Sequence, residues 1–141
     1  MTPREYLSQL RKMRLNISEL TEDVIRMRAR LESTTMKIQS ERVKSSAYGD
    51  RFADAIASMA DKELACMDLI DDYEMLGRRI EAQIRRLDNP VHAAVLEGVY
   101  INGWHLTRVA EVIHYSYQHT KRLHYAALDA FGEKYPEIYL L

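Results

Sequence analysis

Apolar residues return in steps of four and three over the first two thirds of the chain, the pattern of one helix packed along another. The first run is Tyr6, Leu10, Met13, Ile17, Leu20, Val24, Met27, Leu31, Thr34 and Ile38. Thr2 as N-cap, Pro3 in the first turn and Glu5 completing a capping box predict where it starts. The second run is Phe52, Ile56, Met59, Glu63, Cys66, Ile70, Tyr73, Gly77, Ile80, Ile84 and Leu87, with Glu63 and Gly77 its weak positions. Between the runs, Ser45–Asp50 supplies a Gly suited to ending one helix and an Asp suited to capping the next. The pattern therefore predicts an antiparallel helical hairpin, a coiled coil with arms of roughly 55 to 65 Å at about 1.5 Å per residue.

Folding about Gly49 sets residue i opposite about residue 98 − i. The acidic run Asp61, Glu63, Asp68, Asp71, Asp72 and Glu74 then lies near Arg26, Arg28, Arg30 and Lys37. The same fold brings Arg4, Arg11, Lys12 and Arg14 beside Arg78, Arg79, Arg85 and Arg86, an auxiliary basic patch suited to phosphate. A further stripe, Ala53, Ala57, Ala60, Leu64 and Met67, lies off the seam and suits a partner helix, so a homodimer through the hairpin is expected.

The pattern changes at Asp88-Asn89-Pro90, where Asn89 caps a new helix with Pro90 at its first position. That helix is expected to run to about Ile101 and stop at Asn102-Gly103. Leu106, Val109, Ala110 and Ile113 then fit one face of a short helix, and Thr120, Leu123, Ala127 and Phe131 one face of another. Only His114-Tyr115-Ser116 lies between them. Short helices around so tight a connection are the spacing of a helix-turn-helix, whose second helix enters a major groove. Ser116 is the expected N-cap of that second helix, and His114 takes a turn position usually filled by Gly.

With the core face so assigned, Tyr117, Gln118, Lys121, Arg122 and Tyr125 point outwards as base-reading residues. Arg and Lys suit guanine edges, Gln suits adenine, and Tyr packs on a thymine methyl. Thr107, Arg108, Ser116 and His119 are placed for phosphates of double-stranded DNA.

Composition narrows the fold class. With 47% hydrophobic and 29% charged residues but only five Gly and three Pro, little of the chain is available for loops, and an all-α protein follows. Its 141 residues fit an elongated element plus a small globular one, divided as a hairpin over 1–88 and a three-helix helix-turn-helix domain over 89–141. No run is long enough to cross a bilayer and no secretion signal is evident, so a cytoplasmic protein is expected. Cys66 is the single cysteine, which excludes an internal disulfide and predicts a small buried hydrophobe.

Enzyme chemistry finds no foothold. All five histidines lie between His92 and His124, but His114, His119 and His124 are five apart, which spreads them around a helix instead of gathering metal ligands. There is no nucleophile elbow, no phosphate-cradling Gly loop and no pocketed carboxylate pair, so neither catalysis nor a cofactor is expected.

At Asn102-Gly103, Val109-Ala110, Tyr115-Ser116, Arg122-Leu123-His124 and Ala127-Leu128 the chain resembles region four of bacterial sigma factors. More closely, it is similar to small phage and prophage proteins of Gram-positive bacteria that join a helical N-terminal segment to a helix-turn-helix of that type. Tyr6-Leu7, Leu87-Asp88 and Tyr100-Ile101 extend the likeness over nearly the whole chain. It departs at His105-Leu106, where that family tends to place Thr-Trp, at His114, where Gly is usual, and at Val99, where an Arg often stands. The resemblance implies kinship with phage late-gene activators of the RinA and ArpU kind and a role at a promoter, in the bacterial host cell, alongside the host RNA polymerase.

Charge pulls the other way. The chain carries a net charge of −1, and Pro90–Leu141 holds four Lys or Arg against five acidic residues, so one copy is expected to hold DNA weakly. Two other readings stand beside a DNA-binding regulator. One is a module that grips polymerase or a host regulator without DNA, and the other is a small terminase-like subunit.

Overall fold

The computed structural model describes residues 1–41 and 46–141, with side chains placed at 1–36 and 49–141. The described residues are helical almost throughout, and no strand occurs among them. Five α-helices, α1 (Pro3–Glu41), α2 (Ser46–Arg85), α3 (Pro90–Leu96), α4 (Leu106–Ile113) and α5 (Tyr117–Lys134), are joined by a π-helical turn over Glu97–Ile101 and followed by a 3-10 turn over Pro136–Leu140. Packing divides the chain into two compact units, one formed by Met1–Met13 with Tyr73–Leu141 and the other by Arg14–Asp72.

The start of α1 follows the capping box. The Thr2 N–H donates to Glu5 Oε2 at 2.8 Å, and the Glu5 N–H donates to Thr2 Oγ1 at 3.2 Å. The Thr2 backbone N–H, and after it the Thr2 hydroxyl, hold the Glu5 carboxyl below its ordinary range. The whole described seam of α1, from Tyr6 to Thr34, is buried or half-buried. Ile38 and Lys37 lie outside the described side chains.

The register between the long helices differs from the sequence expectation. Gly49 and Asp50 sit inside α2, so they neither end α1 nor cap α2. Within the unit Arg14–Asp72, Thr21 Oγ1 meets Cys66 Sγ at 3.5 Å and Arg28 pairs with Glu63 at 2.6 Å, where folding about Gly49 sets Gly77 and Ile70 opposite. Arg26 pairs with Asp23 on its own helix, and Lys62 approaches Asp23 at 3.9 Å. These pairs are solvent-exposed and contribute at most about 1 kcal/mol each.

Of the expected α2 seam, Phe52, Met59, Glu63, Cys66, Tyr73 and Gly77 are half-buried and Ile80, Ile84 and Leu87 buried, whereas Ile56 and Ile70 are 42% and 37% exposed, with Ala55 and Leu69 half-buried beside them. Cys66, expected to be buried, is half-buried. In the same unit an open cavity of about 280 Å³ is lined by Met27, Arg30, Leu31, Thr34, Arg51, Phe52 and Ala55.

The other unit holds the main core. Tyr6, Leu7 and Leu10 of α1 pack in one cluster with Ile80 and Ile84 of α2, Leu96 of α3, and Ala127, Leu128 and Phe131 of α5. Phe131 is fully buried and lies 6.0 Å from the Tyr6 ring. Tyr6 Oη donates to Gln83 Oε1 and Tyr135 Oη to the Gln83 carbonyl, each at 2.9 Å. Ile138 seals the edge of this core, while Tyr139, Leu140 and Leu141 remain exposed.

After Asn89, whose side chain accepts the Val91 N–H at 2.9 Å, the helical stretch runs to Ile101 as expected, α3 forming its first part. It widens at Glu97 into a π turn, closed by the Asn102 N–H donating to the Glu97 carbonyl at 2.9 Å. Gly98 lies at that turn. A Cβ there would stand 2.9 Å from Val109 Cγ2 and 3.3 Å from Trp104 Cε3, so its missing side chain is what lets α4 approach.

Candidate nucleic-acid interface

α4 and α5 take the expected residues and the expected faces. Val109 and Ala110 of α4 are buried, with Leu106 and Ile113 half-buried beside them. On α5 the buried positions are Thr120, His124, Ala127, Leu128, Phe131 and Gly132. Between the helices His114 adopts the left-handed conformation at φ 62°, and the Tyr115 N–H closes back on the Ala110 carbonyl at 3.1 Å. Such a closure ends a helix abruptly.

Ser116 then caps α5. Its Oγ accepts the His119 N–H at 3.2 Å, and its carbonyl accepts the Thr120 hydroxyl at 2.8 Å. The Ser116 hydroxyl hydrogen stays available to an incoming acceptor. His105, by contrast, stands at the N-cap of α4 without any side-chain bond to that helix.

The five base-reading candidates all lie on the exposed side of α5. Tyr117 and Tyr125 are 48% and 50% exposed, and Gln118, Lys121 and Arg122 are exposed between them. The candidate phosphate residues Thr107, Arg108, Ser116 and His119 are exposed too. His119 meets the Tyr115 ring edge-on at 4.9 Å, and the Arg108 guanidinium lies 4.7 Å from the Trp104 ring centroid. Both contacts restrict side chains that would otherwise pay rotamer entropy on binding an anion.

The auxiliary basic patch is dispersed by comparison. Arg85 pairs with Glu81 at 2.7 Å and approaches Glu97 at 3.7 Å, and Arg78 approaches Glu74 at 3.9 Å. Arg11, Lys12, Arg79 and Arg86 are exposed, whereas Arg14 is half-buried and belongs to the other unit. Lys134 covers the Arg86 carbonyl and approaches Asp88 at 3.5 Å.

Two contacts escape the sequence reading. Tyr100 Oη and His124 Nε2 share a hydrogen bond of 2.9 Å beneath the exposed face of α5, with their rings stacked at 5.7 Å. Burial pushes the Tyr100 hydroxyl up, and burial, followed by the nearby Arg4 charge, pushes the His124 imidazole down from its ordinary 6.5. Arg4 itself lies over the Tyr125 ring, its Cζ 6.0 Å from the centroid. Arg4 and Tyr125 are 121 positions apart, and no local pattern announces their meeting.

Among the described residues no three His, Cys, Asp or Glu side chains converge as metal ligands, and no helix is long and apolar enough to cross a membrane. No family model, curated protein or solved structure matches this chain.

Proposed function

We propose that this chain is a non-enzymatic, cofactor-free, DNA-binding transcriptional regulator of the sigma-region-four kind, of phage or prophage origin. It acts with the host RNA polymerase at a promoter, in the cytoplasm of the bacterial host. The observation that carries the reading is the two-sided character of α5. One side is locked into the core through Thr120, Ala127 and Phe131, while Tyr117, Gln118, Lys121, Arg122 and Tyr125 project from the other, directly after a three-residue connection and a capped start.

The wider architecture in this reading is an antiparallel hairpin, made by α1 and α2, attached to the helix-turn-helix. The hairpin pairs two copies through Ala53, Ala57, Ala60, Leu64 and Met67. Leu64 and Met67 on that stripe are each 61% exposed, apolar surface that a second copy would remove from water. Two copies place two reading helices on two half-sites and offset the low charge of a single domain.

The deciding experiment is a fluorescence titration of labelled duplexes, enriched from a random pool on the protein, at two salt concentrations. The DNA reading expects binding that weakens steeply with salt, and loss of sequence preference in Arg122→Ala with Gln118→Ala. Absence of any enriched duplex, with polymerase capture intact, selects the second reading, a module that grips polymerase or a host regulator without DNA. The excess of acidic over basic residues in Pro90–Leu141 favours that alternative. Binding confined to phage packaging-site DNA would instead select a small terminase-like role.

A further inference from the structure

Arg4 opens α1, yet its guanidinium lies against α5, over the ring of Tyr125. Two contacts fix that approach. Pro3 is buried with its Cγ against Gly132, where a Cβ would come within 2.9 Å, and the Tyr6 ring lies tilted at 6.0 Å from Phe131. The capping box meanwhile holds the first turn of α1 and turns the Glu5 carboxylate away to the Thr2 N–H. Among the described residues no carboxylate forms an ion pair with Arg4, which is exposed.

The Arg4 Cζ stands 6.0 Å from the Tyr125 centroid and the guanidinium also reaches the Tyr100 hydroxyl, yet Arg4 stays exposed. With five N–H groups, a guanidinium keeps donors for a phosphate beyond that contact. Tyr125 also marks a gap in the charge of α5. Eight residues, about 12 Å, beyond Tyr117, it is followed on the same side by Asp129, which repels a phosphate backbone.

We infer that Arg4 belongs to the DNA-contacting surface of α5, where with Tyr125 it forms a composite clamp for one backbone phosphate beyond the reach of Lys121 and Arg122. The clamp rests on the DNA-binding reading and deepens it. It separates Arg4 from the auxiliary basic patch and makes the first turn of α1 part of the interface. A single phosphate contact adds affinity without sequence preference, so its loss weakens selected and scrambled duplexes alike.

The test compares the full chain with Arg4→Gln and Arg4→Lys, titrating each into the best duplex from the random-pool selection and into a scrambled duplex of equal length across a range of KCl. Arg4→Gln is expected to weaken both complexes about 3- to 10-fold and to reduce the slope of log K against log[KCl] by about 0.9, the value of one phosphate. Arg4→Lys keeps the charge and is expected to retain the slope. A purely structural Arg4 would lower the thermal midpoint of Arg4→Gln and leave its slope at the wild-type value, and that result overturns the clamp. Wild-type protein that enriches no duplex overturns the DNA reading and the clamp together. Binding by wild type with an unchanged Arg4→Gln slope overturns the clamp alone.

Discussion

His124 is a titratable ring placed on the inner side of α5, bonded to Tyr100 and 4% exposed. Its pKa lies below the ordinary 6.5 because burial penalises the imidazolium. The unfolded chain therefore takes up this proton before the folded one does. The contribution to stability is complete above about pH 6.5, declines as the pH falls below it, and levels off beneath the folded pKa. Urea unfolding between pH 5 and 8 should show that decline in the wild type and a flatter profile in His124→Gln. Equal pH slopes in both proteins would remove His124 as the cause. Gly98 supplies a second test at this scale. In Gly98→Ala the new Cβ meets Val109, a β-branched side chain that is 1% exposed and has little room to turn, so a loss of about 1 to 3 kcal/mol is expected by chemical denaturation.

Helix ends decide how the elements are cut. Asn89, Thr2 and Ser116 each make the capping bond that their residue type and position predict, so three of the helix starts were legible from side-chain chemistry alone. Ser116→Ala should cost roughly 1 kcal/mol, read from the unfolding midpoint. His114 is the reverse case, a non-glycine at φ 62° that pays steric strain. His114→Gly should raise stability by about 0.5 to 1 kcal/mol, the strain relieved less the extra entropy of an unfolded glycine. An unchanged or lower midpoint would mean that the His114 ring contributes more than its backbone costs. Two positions of the α2 seam were not legible. Ile56 and Ile70 compete with their neighbours Ala55 and Leu69, all of them apolar, and steps of four and three do not choose between them. The choice depends on where the chain turns, which side-chain spacing does not record.

For the whole molecule, two associations are proposed and they differ in their response to salt. DNA binding releases counterions and weakens as salt rises. Pairing through the outer side of α2 brings together stretches that each hold seven acidic and two basic residues over positions 50–72, so added salt screens a repulsion and should tighten the pair. Sedimentation at 50 and 500 mM KCl should show more dimer at the higher salt, and Leu64→Lys with Met67→Lys should leave monomers at both. A monomeric wild type at every concentration tested would remove the pairing and leave each copy to bind a half-site alone.

Local pattern along the chain sets that it is helical, where three of its helices begin, and which sides of α1, α4 and α5 turn inwards, because helix periodicity and caps are local physics written every three or four residues. Tertiary structure decided the rest. It turned Leu7 inwards beside Tyr6 and Leu10, since the start of α1 packs against α2 and α5 at once and more than one stripe of it is covered. It set the register of the long helices, widened the end of α3 into a π turn against α4, and joined Arg4 to Tyr125 and Tyr100 to His124. Each of these is a contact between residues far apart in the chain, selected by the space left once the core has closed.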